Sequence, residues 1–179
     1  MLGASRKPKI GRSLALDMEE YCLSAVKLYK DVSGHSVLKP ARTPFCPEGS
    51  LPEADECTRG ELSGDACSIL MKDLWLARLS RPDIQRQIFE LATKVQCWSR
   101  NDDRRVHRLM CYMASSSSHR LVGKVNDLAT YLKLLLFVDA DLCGNSLTSR
   151  STSGGYLVLA GPDTWFPLMW VSKRQTATS

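Results

Sequence analysis

Two aspartates separated by one residue, Asp139 and Asp141, close an apolar run from Leu134 to Val138. On a strand, residues two apart point to the same side, so this spacing delivers two carboxylates to one place at a sheet edge. Both could approach one divalent cation, or one could bind metal while the other orients a base, the arrangement used in metal-dependent phosphate chemistry. The same spacing also fits a strand end whose acids cap the following loop. The run itself reads as a buried strand. A second candidate is basic: Arg104, Arg105 and Arg108 fall on one expected helix, facing water or a ligand. Together with the N-terminal lysines and arginines they could contact phosphates, giving salt-sensitive, sequence-independent affinity for nucleic acid.

The seven cysteines are odd in number and show no C-x-x-C spacing, and His35, His107 and His119 sit apart from any cysteine pair. That pattern disfavours a zinc site and argues for reduced thiols in an intracellular compartment, cytoplasmic or nuclear, rather than a secreted protein. Cys97 and Cys111 are expected as small core fillers on helices. The longest apolar run, Leu134 to Val138, is too short to cross a bilayer. The N-terminus is basic but lacks the apolar segment of a secretory signal, leaving a transit peptide as an open reading.

These candidates need elements to carry them, and 179 residues with 44% apolar content suffice for one full domain or two small ones. Residues 1–15 form a basic leader. Met18, Tyr21, Ala25, Leu28, Tyr29 and Val32 then follow helical spacing up to Ser33-Gly34. From 39 to 64, four prolines and many acids predict an irregular, exposed, acidic linker. Helices follow: one over 66–80 with Ile69, Leu70, Leu74, Leu76 and Ala77 on an apolar surface, one opening at Pro82 and running to Trp98, and one over 103–115. For the last, Asn101 and Asp102 are the expected caps, with Val106, Leu109, Met110 and Met113 toward a core.

Beyond His119 the periodicity changes from helix to strand, with turn chemistry at Gly144-Asn145, Gly154-Gly155 and Gly161-Pro162-Asp163. A short strand is expected near 119–125. Three longer ones, joined by short turns, predict an antiparallel meander. The fold class expected is therefore α+β, a helical region over 16–118 followed by a three-stranded meander over 119–179.

Three linked motifs in this last part resemble the start of the ribonuclease H domain in copia-type LTR retrotransposon Pol polyproteins. They are Asp139-Ala140-Asp141-Leu142-Cys143-Gly144, Arg150-Ser151-Thr152-Ser153-Gly154, and Trp170-Val171-Ser172-Lys173-Arg174-Gln175. Upstream, Leu74-Trp75-Leu76-Ala77, Arg81-Pro82-Asp83-Ile84 and Arg108-Leu109-Met110-Cys111-Tyr112 are similar to the stretch that follows the reverse-transcriptase palm in the same polyproteins. The N-terminal part matches more loosely.

The resemblance implies that 119–179 is the incomplete opening of a ribonuclease H-like fold, with an RNA:DNA hybrid as partner and magnesium as cofactor. It assigns catalysis and metal binding to Asp139, which in that family bridges two magnesium ions; Asp141 is a signature position rather than an assigned ligand. Leu142 departs from the tryptophan usual there. The family's next acids follow a segment after the third motif, and this sequence reaches Ser179 first. The expectation is a chain related to reverse transcription and RNA cleavage but inactive by itself, with a non-catalytic nucleic-acid-binding module around Arg104 to Arg108 as the alternative. A D-x-D phosphatase is disfavoured, because its downstream lysine and acidic motifs have no room. An apolar sheet face bearing Leu157, Leu159, Leu168 and Trp170 is expected to lie exposed, favouring self-association or aggregation.

Overall fold

The computed structural model describes residues 11–141 and 150–178, which fall into a helical unit, Leu16–Leu121, and a sheet unit made from the described parts of 1–15 and 122–179. The class is α+β, as the periodicity predicts. Among the described residues no helix is long and apolar enough to cross a membrane.

In the helical unit, α1 (Glu19–Ser33) starts where the Asp17 carboxylate accepts the Glu19 N–H at 3.0 Å. It ends at Gly34, whose φ of 73° needs a glycine and whose N–H returns to Lys30 O. Helix α2 (Ala66–Leu79) leads through Ser80 and Arg81 into α3 (Pro82–Ala92), with the proline in the first turn where no backbone donor is lost. The helix expected to reach Trp98 stops at Ala92. Val95–Cys97 instead form a separate 3-10 turn, and Trp98 leaves it extended with its side chain buried. The apolar spacing thus continues past the helix because the turn also faces the core. Helix α4 (Arg100–Ser115) begins earlier than the sequence indicated: Ser99 is the N-cap and Asp102 completes a capping box, so Asn101 and Asp102 lie inside the first turn.

One cluster holds the helical unit together. Cys22, Ala25, Val26 and Tyr29 from α1 meet Ile69, Leu70 and Leu76 from α2, Ile84, Ile88 and Leu91 from α3, and Val106, Leu109, Met110 and Met113 from α4. Cys111 is buried as expected, but Cys97 is exposed on its 3-10 turn. The 39–64 segment is irregular, with single 3-10 turns at Glu53–Glu56 and Glu61–Gly64. It is not simply an exposed linker, since Ala41, Pro44 and Leu62 are buried.

The sheet has five strands where a three-stranded meander and a short strand near 119–125 were expected: β1 (Arg12–Leu16), β2 (Leu121–Val125), β3 (Lys133–Asp141), β4 (Arg150–Ala160) and β5 (Trp165–Thr178), in the order β1-β2-β5-β4-β3. β2 pairs with β5, β5 with β4 and β4 with β3, all antiparallel. Strand β1 comes out of the basic leader, whose RSLAL stretch is too short to announce itself by pattern. Gly161 and Thr164 exchange backbone bonds across the β4–β5 turn, as predicted. Gly154 and Gly155 do not turn; they lie inside β4, opposite Asp139 and Val138. The expected turn at Gly144-Asn145 lies outside the described residues. At Gly123 a Cβ would stand 2.4 Å from the Phe166 ring, so only glycine lets β2 lie against β5 there.

Leu134 to Val138, expected to be buried, are 39% to 75% exposed. β3 is the last strand of the sheet, with β4 its one partner among the described residues, and the exposure extends to the internal strand β5, where Leu168, Met169 and Val171 are 44% to 55% exposed. Burial within the sheet centres instead on Val158 and Pro167, which pair across β4 and β5. Leu157, Leu159 and Trp170 are half-buried and Leu168 is exposed, so the exposed apolar surface is displaced toward β3 from the residues expected to carry it.

Candidate functional site

Register brings the three downstream motifs into one row. Asp139 of the first pairs with Gly154 of the second, and Gly154 pairs with Ser172 of the third. Gln175 Nε2 then donates to Ser153 Oγ at 2.7 Å, a further tie between the second and third motifs. Having no side chain, Gly154 leaves the flank of Asp139 open; a Cβ there would lie 3.9 Å from that of Asp139. Asp139 is exposed on β3, the last strand of the sheet among the described residues. Flanking it on the same face are Phe137, Tyr156 and Trp170, the latter two with ring centroids 6.5 Å apart.

A pair of magnesium ions needs several oxygen ligands on each ion to offset dehydration. Among the described residues no group of three or more His, Cys, Asp or Glu side chains is placed to hold a metal ion. The described residues therefore do not by themselves supply the ligands of a magnesium pair at Asp139.

The arginines expected to face a ligand are occupied. Arg104 Nη1 lies 2.7 Å from Asp55 and also donates to Asn101. Arg105 bonds both Glu56 oxygens and Asp102, and Arg108 donates to Thr43 O and Oγ1. Burial alone would raise the Glu56 carboxyl, but bonds from Arg105 and Asn101 and the nearby Lys94 hold it down at about 2. The 39–64 segment is thus the counter-charge of α4. A phosphate would have to displace these carboxylates at Arg104 and Arg105 and the Thr43 oxygens at Arg108, so the geometry gives the nucleic-acid reading of the three arginines no added support.

Asp103 tightens the same contact. Its carboxylate accepts from the N–H groups of Glu61 and Leu62 and from Trp98 Nε1. Gly60 lies so close that a Cβ would meet Ser99 O at 2.5 Å.

The upstream motifs meet in space, which spacing alone could not show. Arg81, with a side chain 3% exposed, forks onto Asp83 through Nε and Nη2 and onto Ser116 O and Oγ through Nη1 and Nη2. Tyr112 Oη donates to the same Asp83 carboxylate at 2.8 Å. Burial would raise Asp83 and lower Arg81; their mutual bond reverses both, so each is held in its charged form. Arg81-Pro82-Asp83-Ile84 and Arg108-Leu109-Met110-Cys111-Tyr112 therefore share one polar clasp between the start of α3 and the end of α4. Its role is structural, with every group matched.

One Cys–His contact resembles a nucleophile pair. Cys111 Sγ lies 3.5 Å from His107 Nε2, and Tyr29 Oη bonds His107 Nδ1. Burial pushes the Cys111 thiol up and the His107 imidazole down, the wrong directions for a thiolate–imidazolium pair. Cys22 is likewise pushed up to about 11, chiefly by burial.

No family model, curated protein or solved structure matches this chain.

Proposed function

We propose that this chain is a segment of a copia-type LTR retrotransposon Pol polyprotein, joining the region after a reverse-transcriptase palm to the opening strands of a ribonuclease H domain. In this reading its partner is an RNA:DNA hybrid, and the segment does not itself cleave. The observation that carries the reading is the row Asp139, Gly154, Ser172, in which one residue from each of the three motifs meets on adjacent strands. Motifs linked only by sequence chance would have no reason to share a register. The clasp from Arg81 and Asp83 to Tyr112 lends support upstream, since it gives those motif residues a common task.

Asp139 is the residue to which the resemblance assigns magnesium and catalysis. It would act only when further acids are brought beside it, since none of the described residues supplies them. In this reading the segment is inactive because the described residues give Asp139 no companion acids.

A chimaera tests this. Residues 119–179 replace the corresponding opening strands of an active copia-type ribonuclease H domain, and cleavage of an RNA:DNA hybrid is measured with magnesium. The expected result is cleavage that Asp139→Asn abolishes while leaving the fold intact. A folded chimaera that does not cleave, or that cleaves equally well with Asp139→Asn, would overturn the proposal.

A further inference from the structure

Among the described residues β3 is paired along one edge only, and its sequence from Lys133 to Asp139 is complementary to itself. A cation begins it, an anion ends it, and Leu134 to Val138 lie between. All seven side chains are exposed, and neither Lys133 nor Asp139 forms an ion pair with another described residue. We propose that β3 is a homodimerisation edge, pairing antiparallel with β3 of a second copy about a two-fold axis at Leu136.

The register follows from backbone chemistry. Outward-pointing N–H and C=O groups recur at every second residue of an antiparallel edge. Two copies of the same edge can therefore pair only even with even and odd with odd, which places the axis on a residue. With the axis at Leu136, Lys133 faces Asp139 twice, Leu134 faces Val138, Leu135 faces Phe137, and Leu136 faces itself. Shifting the axis to Phe137 sets Asp139 opposite Leu135, losing the charge pair and desolvating a carboxylate beside an apolar side chain.

Both faces of the strand gain from the pairing. Lys133, Leu135, Phe137 and Asp139 share one face and Leu134, Leu136 and Val138 the other, so each acquires cross-strand apolar partners. The backbone groups of the edge, otherwise a template for indiscriminate pairing, are satisfied. Because the interface is isologous it uses up both β3 edges, and assembly stops at two chains. This inference rests on the geometry of β3 and does not depend on the proposed function.

Sedimentation velocity of the full chain across a concentration series tests it, with circular dichroism confirming that each variant is folded. The wild type should form a dimer. Lys133→Asp or Asp139→Lys should each weaken association about tenfold or more, because like charges then face each other at both symmetric positions, and the double swap Lys133→Asp/Asp139→Lys should restore it. Amide hydrogen exchange supplies an independent reading: the outward-pointing amides of 133–139 should become protected as concentration rises. A monomer at every concentration, an open-ended polymer, a dimer indifferent to the single reversals, or a double swap that fails to recover would each overturn the proposal.

Discussion

The helical and sheet units carry their motif residues in opposite ways. In the helical unit Arg81, Asp83 and Tyr112 are tied to one another, and the arginines of α4 are tied to 43–56. In the sheet unit Asp139 and its neighbours on β3 stand exposed on the last strand of the sheet, paired among the described residues with β4 alone. The difference teaches that a residue pattern able to do chemistry is also a pattern able to hold a fold, and that partners decide which. Arg104 and Arg105, read as a phosphate-binding face, stand opposite Asp55 and Glu56, and Arg108 opposite Thr43. Asp139 forms no ion pair with another described residue and is exposed.

The sharpest way to break the comparison is to open the clasp. Arg81→Ala should destabilise the helical unit by about 3 kcal/mol, because it strands a carboxylate and the Ser116 carbonyl together. The loss should appear as an earlier helical transition in denaturant, whereas Asp139→Asn in the sheet unit should change stability by no more than about 0.5 kcal/mol.

Next in size is Asp73, the one residue of the helical core whose charge is unmatched. Both carboxylate oxygens are buried without a hydrogen-bond partner. Burial raises its pKa well above the ordinary 3.8, against a smaller opposing pull from Lys72. The folded protein therefore holds this proton more tightly than the unfolded chain does, so the group costs stability as pH rises above about 4. Asp73→Leu should stabilise by about 1–2 kcal/mol at neutral pH, with a gain that shrinks toward pH 4 in urea melts. A gain that grew on acidification would show the carboxylate to be matched after all.

The smallest effect concerns Glu56, which is partly exposed. Its pKa is depressed from 4.5 to about 2, so its stabilising contribution is complete above the ordinary value and is lost as pH falls through that window. The contribution should stay below about 1 kcal/mol after solvent screening. Comparing acid unfolding of the wild type and Glu56→Gln isolates it, since the variant should lack this component.

Much of the helical unit was legible in the sequence because a helix is local: the spacing of Ala25 and Tyr29, or of Leu109 and Met113, marks a buried face without reference to distant residues. What escaped was long-range. The partners of Arg81 and Arg105 lie on other elements, and no local pattern announces them. In the sheet the strands were readable but their order was not. An apolar run such as Leu134 to Val138 looks alike in a central strand and in an edge strand. Gly154-Gly155 looks like a turn until Asp139 and Ser172 are found on either side. Strand β1 was hidden because five residues following a basic stretch carry too little pattern. Of the candidate site, the identity of Asp139 and its shortage of companion acids both came from motif resemblance, whereas its exposure became visible only in three dimensions.

The central proposal is that Asp139 is displayed but lacks, among the described residues, the companion acids that catalysis needs. The most direct measurement incubates the purified chain with an RNA:DNA hybrid and magnesium and follows the RNA strand by gel. The predicted result is uncut RNA, identical for the wild type and Asp139→Asn. Robust cleavage by the wild type that Asp139→Asn removes would contradict it.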